Sequence, residues 1–70
     1  MKRFGEKLRM LRERRGLSQR QLCGLLEVHQ SFLWGMEQGR KKPSVDMVLK
    51  IADIFGVCID KLMRDELEVD

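Results

Sequence analysis

Seventy residues, 43% of them hydrophobic and 36% charged, are expected to form one globular domain, residues 1–70, with no room for a second. That mix excludes a disordered chain, and no run of about 18 apolar residues offers a membrane span. The charge is unevenly placed: residues 1–42 carry eleven Lys/Arg against four Asp/Glu, net +7, and residues 43–70 carry three against seven, net −4, so a polyanionic partner is expected for the first part alone.

In chain order, the spacing of Phe4, Leu8 and Leu11 predicts a first helix from about Arg3 to Arg15, with Gly16 as its left-handed stop. Ser18-Gln19-Arg20-Gln21 has the S-x-x-Q form of a capping box and opens a short second helix whose Leu22, Cys23 and Leu26 share a face. This helix ends near Glu27. A third helix begins near His29 or Gln30, turns Val28, Leu33 and Met36 inward, and ends at Gly39, where the basic loop Arg40-Lys41-Lys42-Pro43 follows. Ser44 caps a fourth helix with Asp46 in its first turn and a buried stripe of Val45, Val48, Ile51, Ala52 and Phe55. Gly56 ends it, and a last helix runs from about Ile59 to Glu66 with Ile59 and Leu62 inward. No strand, repeat or low-complexity segment is predicted. The second and third helices are separated by only a few residues, which is the helix-turn-helix arrangement, placed at about residues 19–38.

The remaining chemistry is sparse. Met1-Lys2-Arg3-Phe4-Gly5-Glu6 leads straight into charged residues without the apolar core of a signal peptide, so a cytoplasmic chain is expected. Cys23 and Cys58 have no CxxC spacing, and the single His29 leaves too few ligands for zinc, so no metal or other cofactor is expected. One histidine, no tyrosine, no glycine-rich phosphate loop and no triad-like set argue against an enzyme.

Gly16-Leu17-Ser18-Gln19, Leu22, Val28, Ser31, Leu33, Met36-Glu37-Gln38-Gly39 and Lys42-Pro43-Ser44, with Lys50-Ile51-Ala52 and Phe55-Gly56-Val57, resemble the Cro/repressor-type, lambda repressor-like helix-turn-helix family from about Phe4 to Leu62. The resemblance implies an all-α, five-helix DNA-binding domain, bacterial or phage-encoded and nucleoid-associated. It implies a homodimer that binds a palindromic operator on double-stranded DNA with the third helix in the major groove, most often as a repressor. A different reading keeps the scaffold as a protein-interaction module, such as an antitoxin or a regulator subunit. The apolar Phe32/Trp34 pair and the spare Leu49, Ile54, Met63, Leu67 and Val69 motivate it.

On the first reading, base contacts fall to the start of the third helix. Gln30 suits adenine N6 and N7, and Ser31 suits a base or a phosphate. His29 either touches DNA or fills a cap position poorly. Trp34, one turn on, either meets a thymine methyl or packs on another protein. Gln19, Arg20, Gln38, Arg40, Lys41 and Lys42 are the expected phosphate contacts, each a solvated surface group otherwise. Arg12 and Glu37 match a family pair and are expected to form a structural ion pair, with Arg12 also in reach of a phosphate. The family pattern is broken in three places. Glu27 stands where a turn glycine is usual, Gly24 weakens the second helix, and Gly35 replaces a polar reader in the third. The dimer contact is expected at the fourth and fifth helices and the acidic tail.

Overall fold

Each of five helices sends one side chain with no solvent exposure to a common centre: Leu8, Leu22, Leu33, Ile51 and Leu62. The computed structural model describes residues 2–69. The helices are α1 (Phe4–Arg14), α2 (Gln19–Leu26), α3 (Gln30–Glu37), α4 (Val45–Phe55) and α5 (Ile59–Met63), with no strand among the described residues. The apolar i, i+3, i+4 stripes account for this, because each short helix gains most of its stability from the face it buries. Phe4, Leu11, Leu26, Met36, Val48 and Phe55 surround the five central residues. No described helix is long and apolar enough to cross a membrane.

The helix ends follow local chemistry. Ser18 Oγ accepts from the Gln21 amide at 3.0 Å and Gln21 Oε1 accepts from the Ser18 amide at 2.8 Å, the complete capping box. Ser44 Oγ accepts from the Met47 amide at 3.1 Å and starts α4. His29 and Cys58 occupy the corresponding positions of α3 and α5 without any side-chain cap bond. Glu27 closes α2 at φ 59°, the one non-glycine residue with positive φ among those described. A side chain in this left-handed region costs about 1–2 kcal/mol, so the turn keeps the geometry usual for glycine without the glycine.

Several expectations need correction. Val45 is 73% exposed and absent from the buried stripe. It is the first residue of α4, one turn before that helix meets the core. The last helix stops at Met63 instead of Glu66, because Arg64 is extended (φ −90°, ψ 120°) and turns the chain back along α1. Val69 is consequently buried at 5% exposure and Ile54 packs against the core, so neither is spare.

Lys7 causes much of this change of direction. It is fully buried, and its Nζ donates to the carbonyls of Lys61 at 2.6 Å and Arg64 at 2.5 Å. An ammonium there satisfies the last carbonyls of α5 and opposes the negative end of its dipole. The tail then returns to the start of α1, where Asp65 accepts from the Lys2 and Arg3 amides at 2.9 and 2.8 Å. Arg3 Nη1 and Nη2 donate to the two Glu68 carboxylate oxygens at 2.8 and 3.0 Å.

Candidate nucleic-acid interface

The helices α2 and α3 are held against α1 by one carboxylate. Arg12 Nε donates to Glu37 Oε2 at 2.7 Å, and Arg12 Nη2 donates to Glu37 Oε1 at 3.3 Å. Gln19 Nε2 donates to the same Oε1 at 3.2 Å. Arg12 Nη1 donates to the Leu17 carbonyl at 2.9 Å, which fixes the turn before α2. The side chains of Arg12 and Glu37 are 12% and 1% exposed, so this is a buried pair whose polar atoms are satisfied. The hydrogen bond to Glu37 pushes the Arg12 guanidinium pKa further up. With its fork turned inward, Arg12 leaves the set of phosphate candidates. Gln19 keeps one amide hydrogen beyond its bond to Glu37, so its phosphate role remains open to it.

Close contact between α1 and α3 depends on Gly5. A Cβ there would run into the Met36 carbonyl oxygen and lie 2.6 Å from that of Glu37, both backbone atoms. Sequence reasoning missed this residue and Lys7. A glycine in the first turn of a helix, with no turn to make, is the signal for the first.

The opposite side of α3 faces solvent. Gln30, Ser31, Trp34 and Gln38 are exposed on it, and His29 is exposed just before it. Gln30, Trp34 and Gln38 stand four residues apart, so they form one row. Phe32 is only partly exposed and packs against the core, which corrects the expected Phe32/Trp34 patch: Trp34, 44% exposed, is left as its surface half. Gly35 is buried beside this row because Lys41 crosses it, its Cγ 2.5 Å from where a glycine-to-alanine Cβ would stand.

The loop after α3 is pinned back onto that helix. Gly39, at φ 77°, makes the reversal that side chains rarely allow. The Arg40 and Lys41 amides then both donate to the Gly35 carbonyl, at 2.8 and 3.1 Å. This folds Arg40 over Trp34, its guanidinium carbon 5.2 Å from the ring centroid. Arg20, Arg40, Lys41 and Lys42 are exposed, and none makes an ion pair among the described residues. By contrast Arg3, Arg9 and Arg12, all on or beside α1, each pair with a glutamate. Four exposed cations without a carboxylate partner thus stand in the first turn of α2 and in the loop directly after α3. Cys23 lies on the buried face of α2, where burial above all pushes its thiol pKa up and keeps it protonated. Among the described residues no group of three or more metal-ligating side chains comes together.

Comparison with known proteins agrees with this arrangement. The helix-turn-helix domain family matches residues 3–67. The restriction-modification controller protein C.AhdI from Aeromonas hydrophila superposes with a TM-score of 0.78 at 34% identity, covering 89% of this chain and 94% of that one. The transcriptional regulator DdrOP3 of Deinococcus deserti is 31% identical over 59 residues, which is 84% of this chain and 46% of DdrOP3. The CTXphi phage repressor RstR from Vibrio cholerae is 32% identical over 68 residues, 96% of this chain and 61% of RstR. This chain therefore spans about half of the first of these regulators and about three-fifths of the second. With five helices in this order and a match over nearly its whole length, the chain belongs to the helix-turn-helix domain family, among the Cro/repressor-type, lambda repressor-like members.

Proposed function

We propose that this chain is a sequence-specific, DNA-binding transcriptional regulator acting as a repressor in the cytoplasm, with α3 in the major groove of a palindromic operator. The observation that carries this reading is the set of cations Arg20, Arg40, Lys41 and Lys42. Arg20 stands in the first turn of α2 and the other three directly follow α3, all exposed and without carboxylate partners among the described residues, while Arg3, Arg9 and Arg12 on or beside α1 are paired. Gln30 and Ser31 enter first and meet base edges, with His29 beside them. Gln19, Arg20, Gln38, Lys41 and Lys42 hold the phosphates on either side. Each phosphate neutralised steepens the dependence of log Kobs on log salt by about 0.9.

The active unit in this proposal is a homodimer joined through α4 and α5. Pro43, Val45, Val48, Leu49, Ile59 and Met63 line an apolar groove of about 240 Å³ there. Val45, Leu49 and Met63 are 73%, 42% and 40% exposed, an apolar surface that a second copy would cover. The acidic tail is committed to its own α1, so the contact is narrower than the sequence suggested.

Selection of bound duplexes from a random library at physiological salt tests the proposal. An enriched inverted repeat is expected, with a localised change of base preference in Gln30→Ala. No enrichment of any sequence would remove specific DNA binding. Sedimentation at micromolar concentration should show a dimer that Leu49→Lys dissociates, and a strictly monomeric native chain, with and without DNA, would remove the dimer.

A further inference from the structure

We propose that Arg40 is a base-reading residue, held over the recognition face by Trp34, and that guanine is its target. The proposal rests on α3 entering the major groove. Trp34 occupies the middle of the row Gln30–Trp34–Gln38, so a group stacked on its indole lies on the presented face and not at its margin. The Arg40 guanidinium carbon is 5.2 Å from that ring. Its backbone is fixed there by the Gly39 reversal and the 2.8 Å bond from its amide to the Gly35 carbonyl. No carboxylate pairs with the guanidinium among the described residues, and no side-chain hydrogen bond holds it.

Chemistry selects guanine. A guanidinium on an aromatic face uses that face and keeps its five N–H donors for another group, and its planar fork matches the O6 and N7 acceptors of guanine in the major groove. The stack restrains a long side chain before DNA arrives, which lowers the entropy lost on binding. The face has a need for such a reader. Its own polar side chains at the groove end are Gln30 and Ser31 with His29, and Gly35 contributes none. On this assignment Trp34 is a platform for Arg40 in place of a direct thymine contact, and Arg40 leaves the phosphate set.

The test is selection of bound duplexes, repeated with R40K, R40A and W34F, together with salt titrations on the site enriched by the native chain. R40K keeps a cation for a phosphate but lacks the bidentate fork. The expected result is a guanine preference at one position of each half-site that R40K and R40A relax by about 5- to 150-fold, with the rest of the site unchanged. W34F, whose ring is the weaker cation platform, should relax the same position by less. Trp34 is the one tryptophan, so its emission should also change in free R40A. A uniform loss of affinity in R40A, with a salt slope lower by about 0.9 and every base preference kept, would make Arg40 a phosphate contact and overturn the proposal. That outcome leaves the Gln30→Ala result standing. Failure of the native chain to enrich any duplex would instead remove the DNA reading on which the proposal stands. Thermal melts of each variant separate these effects from unfolding.

Discussion

Two arginine–glutamate clamps hold this small fold, alike in chemistry and in distance but not in burial. Arg12 and Glu37 join α1 to α3 with side chains 12% and 1% exposed. Arg3 and Glu68 join α1 to the returning tail with side chains 31% and 55% exposed. The distances are alike, 2.7 and 2.8 Å. In the first clamp the attraction acts in a low dielectric and the carboxylate has lost its water, so its partners must supply every hydrogen bond. In the second, water screens the charges and can replace either partner. The first clamp also sets how α2 and α3 sit against α1, because the same Glu37 carboxylate receives Gln19 at the start of α2. The lesson is that burial, and not the ion pair as such, decides what each one contributes.

The largest expected effect is therefore at Glu37. Glu37→Ala leaves Arg12 buried without its partner and should destabilise the fold by about 3–5 kcal/mol, enough to unfold much of a marginal domain. Urea denaturation measures this. An apolar replacement of both residues, Arg12→Met with Glu37→Leu, should recover most of that loss, since a well-packed apolar pair can equal a buried ion pair. A double variant as unstable as the single one would show that the pair contributes net stability beyond mutual neutralisation.

Gly5 belongs to the same contact and sharpens the comparison from the packing side. Gly5→Ala would press a methyl group onto the backbone carbonyls of Met36 and Glu37 and force α1 away from α3. A loss of about 1–3 kcal/mol is expected, toward the upper end because backbone and not a flexible side chain must move. The Arg12–Glu37 distance should lengthen with it, so combining Gly5→Ala with Glu37→Ala should give less than the sum of the two losses.

How far these features could be read from sequence depends on whether their partner was near in the chain. The capping box at Ser18 and Gln21, the stops at Gly16 and Gly39 and the stripes of α2 and, apart from Val45, of α4 are local, and the sequence expectations for them agree with the structure. Family resemblance supplied the Arg12–Glu37 pair across 25 residues. Nothing local announced the tail clamp, whose partners lie 62 to 65 residues apart. Lys7 did carry a signal that the charge count concealed. It stands three residues after Phe4 and four before Leu11, on the apolar stripe of α1, where a solvated lysine has no place. The stack of Arg40 on Trp34 was out of reach, because it needs the loop conformation that Gly39 and the Gly35 carbonyl impose.

Lys7 tests the intermediate case, a buried cation held by backbone carbonyls, with the Asp65 and Glu68 carboxylates near enough to feel its charge. Lys7→Met keeps most of the side-chain volume and removes the donor to the Lys61 and Arg64 carbonyls. A loss of about 1.5–3 kcal/mol is expected, between the two clamps. Because the affected groups cap α5, amide hydrogen exchange should accelerate there before it does in α2 or α3. Uniform acceleration across all five helices would mean that the tail is not a separable unit.

The smallest effect is expected at Glu68, and pH reveals it better than mutation at neutrality. Glu68→Ala should move the denaturation midpoint only slightly near pH 7, and less still in high salt, because both partners are solvated. The hydrogen bonds from Arg3 hold the Glu68 carboxyl below its ordinary value, and the Arg3 and Lys2 amides hold Asp65 below its own. Both groups are thus more acidic folded than unfolded. Their contribution is complete above the ordinary carboxylate range and is lost as pH falls through the depressed folded values, so stability should rise with pH across that window. In Glu68→Ala combined with Asp65→Asn the slope of stability against pH below about 4.5 should flatten, while the difference from the native chain shrinks toward the acid end. An unchanged slope would place the acid sensitivity elsewhere and leave the tail clamp a contact without thermodynamic weight.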